Sequence, residues 1–284
     1  MIVVKLFGGL GNQMFQYANA LNIANKLNKN LILDISWFSK SRRSPARNYE
    51  LHNYLISGEM PDASLNKELL LYNNFLLRHI PFPRKLNRIS EKHFHFDPSL
   101  NFLNANIYLN GYWQSYLYFN ASRDILLKEF TPNKKLSINQ KIQNKIELDS
   151  SSVAIHIRRS DFLTNPNHPV CNIEYYLKAA NKILETIKNP TFYIFSDDPE
   201  YILKNIKFEQ TTIYVIQGKD TYSSVEDLRL ISLCSHQVIA NSSFSWWGAW
   251  LNTNPDKIVI TPLEWFANKK IDTTSLCPPE WKKI

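Results

Sequence analysis

At 284 residues and 44% hydrophobic, the chain is long enough to bury two domains of ordinary size, and its 33 Lys and Arg against 25 Asp and Glu (net charge +8) are scattered, unlike the dense basic block of a nucleic-acid-binding arm. No stretch approaches the ~20 uninterrupted apolar residues of a membrane span, and the apolar opening at residues 1–7 is too short for a signal peptide, so a cytoplasmic location is expected. Three widely spaced cysteines (Cys171, Cys234, Cys277) without a Cys-x-x-Cys arrangement suggest neither disulfides nor a zinc site and read as reduced packing residues.

In chain order, residues 2–7 are apolar and β-rich, and Gly8-Gly9-Leu10-Gly11 breaks the run. Met14, Ala18, Leu21, Ala24 and Leu27 then recur at helical spacing, and residues 31–35 form the next strand, which completes a βαβ unit. The glycine turn can bring backbone amides and a helix N-terminus to a diphosphate, which makes Asn12 and Gln13 candidate contacts to such a ligand. As a dinucleotide fingerprint it is flawed: Met14 stands where the third glycine belongs, and no Gly-Lys-Ser/Thr follows for a P-loop.

Residues 37–100 hold Arg42-Arg43, Pro45, Pro61, Pro81, Pro83 and short apolar runs, and no periodicity assigns elements there. The aromatic stretch 110–119 is read mainly as core, with Tyr112 and Trp113, and Gln114 beside them, as candidate acceptor-binding residues because aromatic faces stack on sugars. Polar, Lys-rich sequence from 131 to 152 predicts a linker helix, with domains over 1–150 and 151–284.

Beyond the boundary, apolar runs at 153–157, 191–195, 212–216, 237–240 and 257–261 alternate with helical patterns, including Tyr176, Ala180, Ile183, Leu184 and Ile187, and then Val225, Leu228 and Ile231. Such alternation predicts a parallel, doubly wound sheet, whose ligands bind beyond the carboxyl ends of its strands. Those ends are polar: His156-Ile157-Arg158-Arg159-Ser160-Asp161, Ser196-Asp197-Asp198, Gln217-Gly218-Lys219 and Asn241-Ser242-Ser243. Strand alternation sets His156 and Arg158 on one side as a positive pair, and the Arg158 guanidinium can donate two parallel hydrogen bonds to phosphate. Arg159 is expected to pair with Asp161 or Asp197. Asp198 before Pro199 reads as a helix cap, which leaves Ser196 and Asp197 as candidate nucleoside contacts. Ser242 and Ser243 precede a helical run, where a hydroxyl either caps the helix or leaves its amides for an anion.

Taken together, residues 8–16, His156-Ile157-Arg158-Arg159-x-Asp161, Ser196-Asp197-Asp198 and the run from Ala240 through Asn241-Ser242-Ser243-Phe244-Ser245-Trp246-Trp247 to Leu251 resemble the α1,2-fucosyltransferases of glycosyltransferase family 11. Gly111-Tyr112-Trp113-Gln114-Ser115 resembles a further stretch of that family, so the likeness spans nearly the whole chain. It implies an α/β, GT-B-like fold of two Rossmann-type domains facing a central cleft. It also implies inverting, metal-independent transfer of fucose from GDP-β-L-fucose to the 2-hydroxyl of a galactose-type acceptor, with no cofactor beyond the donor. Carried over by position, Arg158 resembles the donor-phosphate arginine, with His156, Asp161, Ser196, Asp197, Asn241 and Ser242 around the nucleotide. Ser160, Phe162 and Tyr201 depart from the family's usual glycine, tyrosine and tryptophan, which touches acceptor preference more than donor class.

On this reading Arg158 stabilises the departing GDP, and Asp161 and His156 are the candidates to receive the acceptor proton. The acceptor is a galactoside-containing glycan or a lipid-linked oligosaccharide of a surface glycan. The net charge suits peripheral contact with the inner membrane face, and no nucleic-acid partner is expected. Two rivals are an oxidoreductase holding a dinucleotide on the glycine turn with Asp34 on its ribose, and a non-enzymatic glycan- or nucleic-acid-binding protein.

Overall fold

The computed structural model describes residues 1–40, 47–73, 85–133, 140–159, 163, 171–206, 208, 212–216 and 223–284. The chain forms two compact units: residues 1–133 with Thr274–Leu276, and residues 134–273 with Cys277–Ile284.

In the first unit, β1 (Ile2–Lys5) leads through α1 (Leu10–Leu27) to β2 (Leu31–Asp34), followed by α2 (Ser36–Lys40) and α3 (Ala63–Asn73). Then come β3 (Asn87–Ser90), β4 (Ile107–Asn110) and α4 (Arg123–Glu129). The four strands are parallel in the order β2-β1-β4-β3. Central β1 and β4 are buried, which is why they are nearly all apolar. α1 starts on Gly9 without a side-chain cap and stops at Asn28, which takes the left-handed conformation (φ 50°) and returns its N–H to the carbonyls of Ala24 and Asn25. β3, β4 and α3 are elements that residue periodicity did not assign. β3 is a short polar edge strand, Asn-Arg-Ile-Ser, and so lacks the apolar run that marks a buried strand. Arg42, Arg43, Pro45, Pro81 and Pro83 lie outside the described residues.

The second unit runs α5 (Gln140–Leu148), β5 (Ser152–Ile157), α6 (Ile173–Leu184), β6 (Thr191–Ser196), α7 (Pro199–Asn205), β7 (Thr212–Ile216) and α8 (Ser223–Leu233). It closes with β8 (His236–Val238), α9 (Ser243–Leu251), β9 (Val259–Thr261) and the two-residue β10 (Lys282–Lys283). All six strands are parallel, ordered β10-β9-β8-β5-β6-β7. Each face has its own core. Val153, Ile155 and Ile157 pack with Tyr176, Ile183 and Ile202 on one side, and Ala154, Tyr193 and Phe195 pack with Ile146, Leu230 and Ile231 on the other. α5 therefore belongs to this unit's packing: Ile146 is buried and Gln143 accepts a hydrogen bond from Arg229 Nη2 at 3.0 Å. Among the described residues no helix is long and apolar enough to cross a membrane. All three cysteines are free thiols.

The tryptophans of α9 are core: Trp246 and Trp247 are wholly buried, their ring centroids are 5.1 Å apart, and Trp281 lies 5.4 Å from Trp246. α8 comes so close that a Cβ on Gly248 would stand 2.3 Å from Cγ2 of Ile231. Gly248→Ala should accordingly cost about 1–3 kcal/mol by overpacking, despite alanine's better helix propensity. Urea titration followed by tryptophan fluorescence reads this, and an unchanged midpoint would show that the two helices can spread.

Candidate donor site

β5 is the point at which the chain changes direction across the second sheet. From it the chain moves outward to β6 and β7, then returns to β8 on the other side of β5. Such a switch point opens a crevice at the strands' carboxyl ends. Ile155 lies opposite Val238, so the segment carrying Arg158 runs out beside the one carrying Asn241. Ile157 lies opposite Ser196, which brings Asp197 and Asp198 to the other flank.

Two arginines meet two aspartates there. Arg158 Nη1 lies 3.0 Å from Asp197 Oδ2, both side chains about one-fifth exposed, while Asp197 Oδ1 accepts the Arg159 backbone N–H at 2.9 Å. Arg159 Nε donates to Asp198 Oδ2 at 3.1 Å, and its guanidinium lies 3.2 Å from the centre of the Tyr201 ring. Arg159 thus pairs with Asp198, a correction to the expected Asp161 or Asp197 side chain. Tyr201 keeps an aromatic face under that guanidinium. Asp198 also caps α7 by accepting from Tyr201 N at 3.2 Å, and its own N–H donates to Ser196 Oγ at 3.1 Å. The acidic pair orients the arginines. On the Ile157 and Arg159 side opens a cavity of about 460 Å³, lined also by Cys171, Tyr176, Tyr201 and Ile206.

His156 is 5% exposed and its ring lies 5.3 Å from that of Phe244. Burial, reinforced by the Arg158 charge, holds its pKa well below the usual value. The expected positive pair is therefore a single cation, Arg158, beside a neutral imidazole. His156 Nδ1 is buried without a hydrogen-bond partner.

On the β8 side, Asn241 is 2% exposed: its amide donates to the Trp265 carbonyl at 3.1 Å and its oxygen accepts the Cys171 thiol at 3.4 Å. It ties the strand end to neighbouring loops, so its expected nucleotide contact becomes a shaping role. Ser242 is the N-cap residue of α9 yet makes no side-chain capping bond, and Ser243 opens the helix. Ser160, Asp161, Phe162, Gln217, Gly218 and Lys219 lie outside the described residues.

In the first unit, Gly8 (φ 80°) takes the left-handed conformation that favours glycine, and a Cβ there would stand 2.7 Å from Asn12 Nδ2. Gln13 is fully buried: its amide donates to the carbonyls of Gly8 (3.1 Å) and Asn48 (2.8 Å), and its oxygen accepts from Glu50 N at 2.9 Å. That side chain builds the turn and is not presented to a ligand, a correction to its expected donor contact. Asn12 Oδ1 accepts from Gln114 Nε2 at 2.8 Å. Tyr112 is 39% exposed, whereas Trp113 is 2% exposed and held at φ 57°. Both backbone N–H groups donate to the Glu91 carboxylate, at 2.7 and 2.9 Å. Trp113 is thus core, and Tyr112 is the ring of this pair that reaches the surface. Asp34 is also buried: it accepts from Ser36 N (3.0 Å), Asn73 Nδ2 (2.8 Å) and Tyr108 Oη (2.7 Å), so it is out of reach of a ribose. The dinucleotide rival loses its key contact.

A parallel α/β sheet in each of two units is the arrangement of the GT-B fold. The fold matches an Arabidopsis thaliana FUT1 variant in complex with GDP (TM-score 0.51, 11% identity, 92% of this chain and 70% of that one). It also matches NodZ α-1,6-fucosyltransferase soaked with GDP-fucose (TM-score 0.50, 14% identity, 88% and 92%). The sequence profile of glycosyl transferase family 11 matches residues 1–284, and the chain belongs to that family. Its relatives include the Escherichia coli alpha-1,2-colitosyltransferase, 31% identical over 100% of this chain and 99% of that protein. The E. coli O-antigen biosynthesis glycosyltransferase WbnK is 34% identical over 92% and 94%. A Caenorhabditis elegans galactoside 2-alpha-L-fucosyltransferase is 24% identical over 100% and 79%.

Proposed function

We propose that the chain transfers L-fucose, with inversion, from GDP-β-L-fucose to the 2-hydroxyl of a galactose-type sugar in a surface glycan, without a metal ion. The observation that carries this reading is Arg158 at the switch point, held by Asp197 at 3.0 Å beside the start of α9. A guanidinium ordered in advance binds diphosphate with less entropic loss and stabilises the charge that grows on the leaving GDP. The unpartnered Nδ1 of His156 supports a nucleotide contact there. Its depressed pKa makes His156 a poor proton acceptor, so Asp161 takes that role in the proposed mechanism. The charge of +8 supports cytoplasmic work at an anionic membrane face on a lipid-linked acceptor.

The 31% identical colitosyltransferase favours a second reading of the donor alone, since colitose is fucose without its 3-hydroxyl. Calorimetry should show that the protein binds GDP but neither NAD nor an oligonucleotide. Incubation with GDP-fucose or GDP-colitose and a panel of β-galactosides, followed by linkage analysis, should give an α1,2 product with GDP-fucose. A product from GDP-colitose alone would reassign the donor, and linkage at another hydroxyl would refute the reading of the acceptor.

A further inference from the structure

Five aromatic rings of the first unit form one continuous chain. Tyr112 meets Phe7 edge-on at 4.8 Å, Phe7 lies 6.3 Å from Trp37, Trp37 meets Phe38 edge-on at 5.1 Å, and Phe38 lies 6.1 Å from Tyr49. The rings come from four separate segments: those following β1 and β4, helix α2 after β2, and residues 47–53. Each ring is part-exposed, in contrast to the wholly buried Trp246 and Trp247 of the second unit. Three of those segments leave the carboxyl ends of β1, β2 and β4, the edge at which parallel sheets receive ligands.

The backbone beneath the rings is fixed by two glutamines of α1. Gln16 accepts from Phe7 N at 3.0 Å and donates to Phe7 O at 3.2 Å, which holds Phe7 by both of its backbone groups. Gln13 grips the Asn48 carbonyl and the Glu50 N–H, either side of Tyr49. Hydrogen-bonding side chains adjoin the rings: Asn12 with Gln114, and Arg47, whose Nη1 lies 3.7 Å from where a Cβ on Gly9 would stand.

We infer that the strip Tyr112–Phe7–Trp37–Phe38–Tyr49 seats several consecutive sugars of the acceptor, so that the substrate is an oligosaccharide and not a lone galactoside, with Gln13 and Gln16 as its positioning residues. The C–H faces of pyranosides are apolar and pack on aromatic faces, while their hydroxyls need the amide and guanidinium groups alongside. The inference rests on the sugar-acceptor reading above and extends it to acceptor length.

Saturation-transfer NMR with methyl β-D-galactoside, lactose and lacto-N-neotetraose as probes tests it, with GDP calorimetry run in parallel. Saturation of aromatic protons should reach several sugars of the tetrasaccharide, which should bind at least about tenfold more tightly than the monosaccharide. Trp37→Ala should remove about that tenfold advantage and leave GDP affinity unchanged, while Trp37→Phe retains most of it. Tyr112→Ala, at a more exposed ring, serves the same purpose if Trp37→Ala fails to fold. Gln16→Leu should raise the acceptor KM more than it lowers kcat. Equal affinities for the three probes, or contact with one sugar only, in a protein that still binds GDP overturns the strip. Failure of the wild-type protein to bind GDP instead sinks the donor reading on which it depends.

Discussion

Arg158→Lys should lower kcat by about 10²–10³-fold while leaving the thermal unfolding midpoint nearly unchanged. Lysine keeps the positive charge near Asp197, so the local electrostatic balance of the fold survives. What it loses is the planar fork that can hold two phosphate oxygens as the bond to fucose breaks. Because that interaction strengthens as charge moves onto GDP, the loss falls on kcat more than on donor KM. Arg159→Lys is the internal comparison. Arg159 is engaged by Asp198 and the Tyr201 ring, so its replacement should cost stability and reduce kcat far less. Steady-state kinetics with GDP-fucose on the two variants and the wild type reads the difference. Near-normal kcat for Arg158→Lys, or equal losses in both, would remove Arg158 from its assigned role.

How well each part could be read from sequence followed its burial. β5 and β6 are inner, mostly buried parallel strands, so their apolar runs stand out, whereas edge strand β3 and the two lysines of β10 carry no such run. The switch point was legible because polar residues follow apolar strands there. Charge and exposure were not: only the fold shows that burial and the nearby Arg158 charge hold the His156 pKa down, and that Tyr112 faces outward and Trp113 inward. Gln13 and Gln16 sit in a legible motif, yet their partners Asn48, Glu50 and Phe7 become evident only once the chain has turned back on itself.

Asp227 escaped notice for a related reason. Val225, Leu228 and Ile231 mark the buried stripe of α8, which makes the intervening Glu226 and Asp227 look like a solvated face. α8 is in fact flanked by α5 and α9 as well as the sheet, and burial, with a further push from Glu226, raises the Asp227 pKa to about 7. Glu226 itself is held by Arg229 at 2.8 Å. The folded state therefore binds a proton at Asp227 more tightly than the unfolded chain does, and stability falls as pH rises from about 4 through about 7. Asp227→Asn should remove that penalty: it should match the wild type near pH 4 and exceed it at pH 8 by up to about 4 kcal/mol, an upper bound because water partly screens the site. Five of the chain's seven tryptophans, Trp246, Trp247, Trp250, Trp265 and Trp281, lie in the second unit, so urea titration followed by fluorescence at several pH values reports mainly on it. Parallel pH profiles for wild type and variant would show that Asp227 ionises freely in the fold. Divergence above pH 6 would show that this unit keeps a largely protonated carboxyl in the first turns of the helix that enters β8.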